Sequence, residues 1–422
     1  MATMTSRKRL QAALDHKDPD RVCVDLGATM TSGISATAVW RLRQAVLGEK
    51  DYRVKVIEPY QMLGEVDEKL REALGIDVVG VLGPRTLFGF ENKDWKPFTQ
   101  FDGTEVLVGG NFNYTTSPGG DLLIYPEGDV SAPPSGRMPK GGFYFDSIIR
   151  QDPIDESRLD PADNLQEFGP LSDADIRHFA ARARELHEGG DCGMIMTLPG
   201  AAFGDIALVP APWLKHPKGI RDVEEWYVST AARRDYVYKV FEGQCEIALG
   251  NIGRLAGAVG DRVQAAFVTG TDFGTQRAPF ISVRAYRDLY KPFHKQVNDF
   301  IHARTIWKTF MHSCGSVFEL VPDFIEAGFD ILNPVQCSAA RMDPRTLKDT
   351  FGDRLVFWGG GVDTQKTLPF GTPDEVYKEV RQRIEIFNRN GGFVFNPIHN
   401  IQANSPLENM LAMFKAIRDS CR

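Results

Sequence analysis

The chain has 422 residues, 42 % of them hydrophobic and 25 % charged, which is ordinary usage for a soluble globular protein and excludes a disordered tail, a collagen-like rod and a small disulfide scaffold. Its 49 Lys and Arg against 56 Asp and Glu leave a formal charge of −7 without a basic block, a poor match for nucleic acid or an anionic membrane. At about 150 residues per domain the length suits two to three domains, or one α/β barrel with insertions. No apolar run reaches the ~18 residues that span a bilayer, and the basic N-terminus lacks the apolar core of a secretory signal. A cytoplasmic protein is expected. Its cysteines, Cys23, Cys192, Cys245, Cys314, Cys337 and Cys421, should then be free thiols or metal ligands.

Short apolar, β-branched or aromatic runs alternate with helical patterns along the chain. Residues 21–27 (RVCVDLG) read as the first strand. Residues 58–73 carry Met62, Leu63, Val66, Leu70 and Ala73 at helical spacing. The second strand is 78–84 (VVGVLGP). Residues 101–144 break the alternation, being rich in Gly, Pro and short β-like runs with turn signals at Asp102-Gly103 and Gly119-Gly120. They read as a β-hairpin insertion, with 131–142 as a mobile loop. The third to eighth strands are 193–198, 264–270, 307–315, 331–336, 355–361 and 392–398. Most of the runs lack polar alternation, as in strands covered on both faces.

Helical patterns at 222–257 (broken in two), 282–304, 316–327, 343–351, 372–388 and 405–418 separate or follow these strands. Thr372-Pro373 and Ser405-Pro406 place a hydroxyl cap before a proline. Eight strands each followed by helix predict a single (β/α)8 TIM barrel over residues 1–422, carrying the β-rich insertion 101–144. A doubly wound sheet is the competitor, but no GxGxxG follows an early strand. Gly359–Gly361 reads as tight packing or anion approach at a strand end.

The strongest chemical signal is Met311-His312-Ser313-Cys314-Gly315. Residues at i and i+2 of a strand share a face, and at the C-terminal end of a barrel strand that face is the catalytic mouth. An imidazole and a thiolate there are natural zinc ligands. His399, just past the last strand, is the expected third ligand, with Cys337 as the alternative. Asp272, just beyond a strand, reads as a proton donor or acceptor, a metal ligand or a helix cap. Asp25 is placed to orient substrate or pair with an arginine. Gln336 and Gln402 offer amides to substrate. Asp363 is expected to face the mouth, and Tyr60 to line a pocket or the core.

The opening SRKRLQAALDHKDPDRVCVDLG, the HSCGS element and the closing GGFVFNPIHNIQANSPLENMLAMFKA resemble the uroporphyrinogen decarboxylase superfamily, particularly its cobalamin-linked methyltransferase branch. The resemblance is clearest over the first 30 residues and the last third. It implies a (β/α)8 barrel and a zinc site with the His-x-Cys element as ligands. Two departures matter. The arginine-bearing segment with which porphyrinogen decarboxylases grip substrate carboxylates is absent, since the region reads VDLGATMTSGISA. His399 also falls where the methyltransferases supply a late second cysteine. One thiolate fewer makes the metal a stronger Lewis acid, which favours an ether, alcohol or carboxylate substrate, with thiol alkylation left open.

The expectation is therefore a zinc-dependent methyltransferase moving methyl between a small methylated substrate or thiol and a corrinoid (cobalamin). The chain has no DxHxxG-type corrinoid motif, so a separate corrinoid protein is the expected partner, and a homodimer is left open. Asp272 is the first general acid to test. The alternative is a lyase decarboxylating a small substrate other than uroporphyrinogen, with Arg277 and Lys308 as candidate cations. A non-enzymatic metal store or corrinoid chaperone is the third reading.

Overall fold

The computed structural model describes residues 3–420; Cys421 lies outside them. Its central sheet has eight parallel strands: β1 (Cys23–Val24), β2 (Val78–Val81), β3 (Gly193–Thr197), β4 (Ala265–Thr269), β5 (Lys308–His312), β6 (Ile331–Asn333), β7 (Val356–Trp358) and β8 (Phe393–Phe395). Each falls inside a run expected to be a strand. They pair in the order β1-β8-β7-β6-β5-β4-β3-β2, the arrangement of a nearly closed (β/α)8 barrel. All residues of β4 are buried, which is why these strands show no polar alternation.

The barrel closes at the β1–β2 seam through one carboxylate. Asp77 N–H donates to Val24 O at 2.8 Å, and the Asp77 side chain accepts from Val24 N–H at 3.0 Å. Arg9 reaches the same carboxylate at 2.6 Å and Arg21 at 2.7 Å, and Ser6 Oγ adds a bond at 2.6 Å. Further along the seam only glycine fits at position 80, because a Cβ there would lie 1.9 Å from Ala28 O. Alternate strand residues fill the barrel: Cys23, Val78, Ile195, Ala265, Phe267, Phe310, Ile331, Val356, Trp358 and Val394. Leu10, Ala13 and Leu14 of the helix Ser6–Leu14 join this cluster and plug its N-terminal end.

Outside the barrel lie two four-stranded sheets. The first joins Val54–Glu58 and Leu63–Gly64, from between β1 and β2, to Lys96–Thr99 and Glu105–Val108; the second is Tyr114–Thr116, Leu122–Ile124, Gly136–Met138 and Asp146–Ser147. Extra-barrel β-structure thus starts before residue 101 and continues past 144. Gly136–Met138 is a strand within the stretch read as a loop. The helix expected over 58–73 is confined to Glu68–Leu74. The buried Glu58 carboxylate accepts from Tyr60 N–H at 2.9 Å and Gln61 N–H at 2.8 Å, folding 59–62 into a turn, and Asp67 caps the helix that follows. Downstream, Val223–Ala232 and Arg234–Val259 form the broken pair, and Thr372 and Glu375 form a capping box. Ser405 caps nothing, since the last helix starts at Leu407. Among the described residues no helix is long and apolar enough to cross a membrane.

Removing the Asp77 side chain leaves Arg9, 3 % exposed, without half of its counter-charge. Asp77→Ala should cost about 3–5 kcal/mol, read as a lowered urea midpoint with an unchanged slope; a loss below ~1 kcal/mol would show that the seam does not depend on this carboxylate.

Candidate metal centre

The pleat of β5 builds the site from below. Phe310, His312 and Cys314 leave the chain on one side. Phe310 lies inside the barrel, stacked on Phe267 with centroids 5.1 Å apart and edge-on to Trp358 at 5.4 Å. His312 lies one layer higher, 6.5 Å from the Phe267 ring, and is buried. Its Nδ1 is 2.5 Å from Asn333 Oδ1. Asn333 Nδ2 donates to Trp358 O at 2.6 Å, so Oδ1 is the acceptor and the network puts the imidazole proton on Nδ1. Nε2 is left with a free lone pair, 3.4 Å from Cys314 Sγ.

His399 arrives from the loop after β8. Its backbone is left-handed, with φ of +77°, a conformation that costs about 1–3 kcal/mol outside glycine and must be held by its surroundings. Asn400 does the holding. Its Oδ1 accepts from Gly33 N–H at 2.5 Å, and its Nδ2 donates to Met30 O at 2.8 Å and Gln61 Oε1 at 2.7 Å. Asn400 N–H donates to His399 Nδ1 at 2.9 Å. The result sets the His399 and His312 rings 5.3 Å apart at 68°.

One donor atom from each of His312, Cys314 and His399 lies within 4.8 Å of the others. Tetrahedral zinc, with bonds of ~2.0 Å to nitrogen and ~2.3 Å to sulfur, holds such donors about 3.5 Å apart. The spacing and the N, N, S donor set therefore fit zinc, and three protein ligands leave a fourth position for a substrate. Burial pushes His312 and His399 down to about 4, so both rings are uncharged at neutral pH. Burial and the nearby Asp272 push the Cys314 thiol well up; a bound dication reverses that preference.

Asp272 sits beside the triad. Its Oδ1 accepts from Cys314 N–H at 2.6 Å and lies 3.8 Å from His312 Nε2. Burial raises its carboxyl despite the Cys314 N–H. Gln336 Oε1 accepts from Gly315 N–H at 2.7 Å, so this amide oxygen holds the His-x-Cys loop. Asp25 is fully buried at the end of β1, accepts from Trp358 Nε1 at 2.8 Å, and is raised by burial to about 6.

Three other expected residues have local roles or none in the hydrogen bonds of the triad. Asp363 Oδ1 accepts from Gln365 N–H at 2.7 Å and Lys366 N–H at 3.0 Å, closing a local turn. The Tyr60 ring packs on Phe88 at 6.1 Å, within the extra-barrel sheets. Gln402 follows His399 in the same loop, with its Oε1 buried and unpartnered. Cys337 is outside the triad. Its Sγ would be 3.3 Å from a Cβ at Gly360, and burial raises it to about 12.

The sequence reading missed Asn333, Asn400 and Asp205. Asn333 carried one signal, a polar residue closing an apolar strand. Asp205 lies in the loop after β3, 8 % exposed, and is raised to about 7 by burial and then by Asp272.

Residues 262–420 match the family model described as uroporphyrinogen decarboxylase (URO-D). No curated protein matches the chain. Among solved structures, a methyltransferase from Methanosarcina mazei superposes with a TM-score of 0.53 at 16 % identity, covering 99 % of each chain; at that identity the likeness concerns the fold. The match spans β4 to the last helix and so takes in all three members of the triad. Residues 262–420 are thus similar to the uroporphyrinogen decarboxylase family model, on a barrel whose fold resembles that of a solved methyltransferase along its whole length.

Proposed function

We propose that this protein is a zinc-dependent methyltransferase. In this reading it moves a methyl group between a small methylated substrate, a methyl ether foremost, or a thiol, and a corrinoid carried on a separate protein. The observation that carries it is the convergence of His312, Cys314 and His399 from two strand ends at the barrel mouth. The family match over 262–420 and the methyltransferase neighbour agree with it.

His312, Cys314 and His399 would hold the zinc, which would supply Lewis acidity to the substrate. The chain's own residues do the rest. Asn333 fixes the His312 ring so that Nε2 faces the metal position. Asp272 and Gln336 hold the backbone of the Cys314 turn. Phe267, Phe310 and Trp358 floor the site with apolar surface and keep water from below.

The decarboxylase alternative needs cations at the mouth. Lys308 starts β5 at the opposite end and pairs with Asp330 at 3.3 Å. Arg277 is exposed on the loop after β4. Among the described residues, Asp25, Asp205 and Asp272 form no ion pair with Lys or Arg. A mouth with carboxyl groups and no cation against them suits a neutral methyl donor better than a carboxylated substrate.

Metal analysis tests the site. Wild-type protein should carry one zinc, and His312→Ala, Cys314→Ala and His399→Ala should each lose it. Retention by His399→Ala would move the third ligand elsewhere. Asn333→Ala should keep the ligands yet weaken zinc affinity 10- to 100-fold in chelator competition; unchanged affinity would make that hydrogen bond incidental.

The pH dependence follows from the same groups. With both imidazoles near 4, only the raised Cys314 thiol must shed a proton for metal to bind at neutral pH. Zinc binding at pH 7 should release about one proton, and affinity should rise about tenfold per pH unit from 6 to 8. Calorimetry in buffers of different ionisation enthalpy reads both; no proton release would exclude Cys314 as a thiolate ligand.

A further inference from the structure

We propose that Asp25 is a positioning residue of the metal centre: acting through Trp358 and Asn333, it decides which nitrogen of His312 offers a lone pair to the metal. The inference rests on the reading of the triad as a metal site, and it gives Asp25 a task other than orienting substrate.

Four side chains on the inner side of the barrel carry the connection. Asn333 of β6 lies opposite His312 of β5 in the parallel register. Trp358 of β7 lies opposite Val394 of β8, which in turn lies opposite Cys23 of β1. Asp25 stands two residues beyond Cys23, so it projects on the same side one layer higher. The Trp358 indole spans that step, and its Nε1 donates to Asp25 Oδ2 at 2.8 Å. The Trp358 carbonyl accepts from Asn333 Nδ2 at 2.6 Å, and Asn333 Oδ1 lies 2.5 Å from His312 Nδ1. Asp25, Trp358 and Asn333 are fully buried and His312 nearly so, so water does not compete for these bonds.

The direction of each bond follows from the groups themselves. An indole nitrogen only donates and a carbonyl oxygen only accepts. The Asn333 amide nitrogen must therefore face Trp358, which turns Oδ1 toward His312. Thr31 Oγ1, from the loop after β1, donates to the same Oδ1 at 3.4 Å and agrees with that orientation. With the Trp358 carbonyl displaced, the amide is free to turn end for end. It then presents N–H groups to His312 Nδ1, which must accept, and the imidazole proton sits on Nε2. That proton occupies the lone pair that faces Cys314 Sγ.

Trp358 keeps its carbonyl in place because its ring is held at both ends. Phe310 packs edge-on to it, with centroids 5.4 Å apart, and Asp25 takes its N–H. Asp25 is anchored in turn. Its Oδ1 accepts from Ala28 N–H at 3.1 Å, its own N–H donates to Phe395 O at 2.9 Å, and its carbonyl accepts from Asn396 Nδ2 at 3.1 Å. Both carboxylate oxygens are thus committed within the barrel wall. The line Asp25, Trp358, Asn333, His312 crosses from β1 to β5 and serves the ligand from behind, as a second layer of bonds does at metal-bound histidines generally.

The test compares Asp25→Leu, Trp358→Phe and Asp25→Asn. Trp358→Phe keeps an aromatic ring and the main chain and removes the indole N–H; Asp25→Asn keeps an acceptor oxygen for that N–H. Zinc affinity is read by chelator competition, and the His312 tautomer by long-range proton–nitrogen NMR of chelator-treated protein. Asp25→Leu and Trp358→Phe should each weaken zinc on the order of tenfold and mix Nε2–H with the Nδ1–H form of His312. Asp25→Asn should stay close to wild type in both. Wild-type affinity and a single Nδ1–H form in Asp25→Leu and Trp358→Phe overturn the assignment. A loss in Asp25→Asn with Trp358→Phe unaffected overturns it too, since Asp25 then acts by its charge and not through the indole. If Asp25→Leu does not fold, Trp358→Phe decides. A wild type that binds no zinc overturns the metal reading instead, and the His312 tautomer in the variants still decides whether Asp25 positions the ring.

Discussion

Because successive side chains of a strand point to opposite sides of its sheet, the three residues Phe310, His312 and Cys314 share one side of β5, and in a closed barrel that side is the interior. All else about the site follows from this constraint. Phe310 belongs to the apolar filling of the barrel. His312 is the first polar side chain above it, and Cys314 turns out over the rim. A shift of β5 by one residue against β4 or β6 would turn the already buried Met311 into the barrel in place of the histidine and point the imidazole at the helices outside. The parallel register of Phe310 with Ile331 and of His312 with Asn333 is therefore functional geometry, since it delivers Asn333 to the Nδ1 of His312.

The barrel also explains how a histidine far along the chain joins this pair. Loops after different strands converge on one face, but convergence alone does not orient a ring. His399 is oriented by Asn400, which bonds the loop after β1 and the turn at residues 59–62 together. The left-handed backbone at His399 is sustained by these bonds. Thus the turn that follows Val54–Glu58 helps to hold the loop of His399 through Gln61.

The electrostatics of the mouth are consistent with one cation being central to it. Two neutral imidazoles, a thiol that resists ionisation and several carboxyl groups without counter-ions are uneasy neighbours in a low-dielectric setting. A zinc ion held by the triad would relieve that arrangement by favouring the thiolate. The far end of the barrel shows the opposite solution, where Asp77 is matched by Arg9 and Arg21. The bottom is charge-balanced by the protein itself and serves closure, whereas the top is left unbalanced.

Some of this was legible from residue order. The eight runs marked strands because burial on both faces removes polar residues from them, and the His-x-Cys spacing marked a shared face because the pleat has period two. His399 stood out by its place after the last strand. Other features were not legible, since they depend on which loops meet. The run from Met62 to Leu70 has helical spacing, yet a buried Glu58 binding two backbone N–H groups makes a turn of its start. Asp363, Gln336 and Gln402 were indistinguishable by sequence, each a polar residue at or beyond a strand end; tertiary contacts made the first a turn cap, the second a brace for Gly315 and left the Oε1 of the third unpartnered. Residue order carries the local periodicities that place a side chain inside or outside the barrel. The pairing of Asn333 with His312, of Asn400 with two separate segments and of Asp205 with Gly270 comes from long-range closure, in which residues far apart in the chain acquire their roles by sharing one rim.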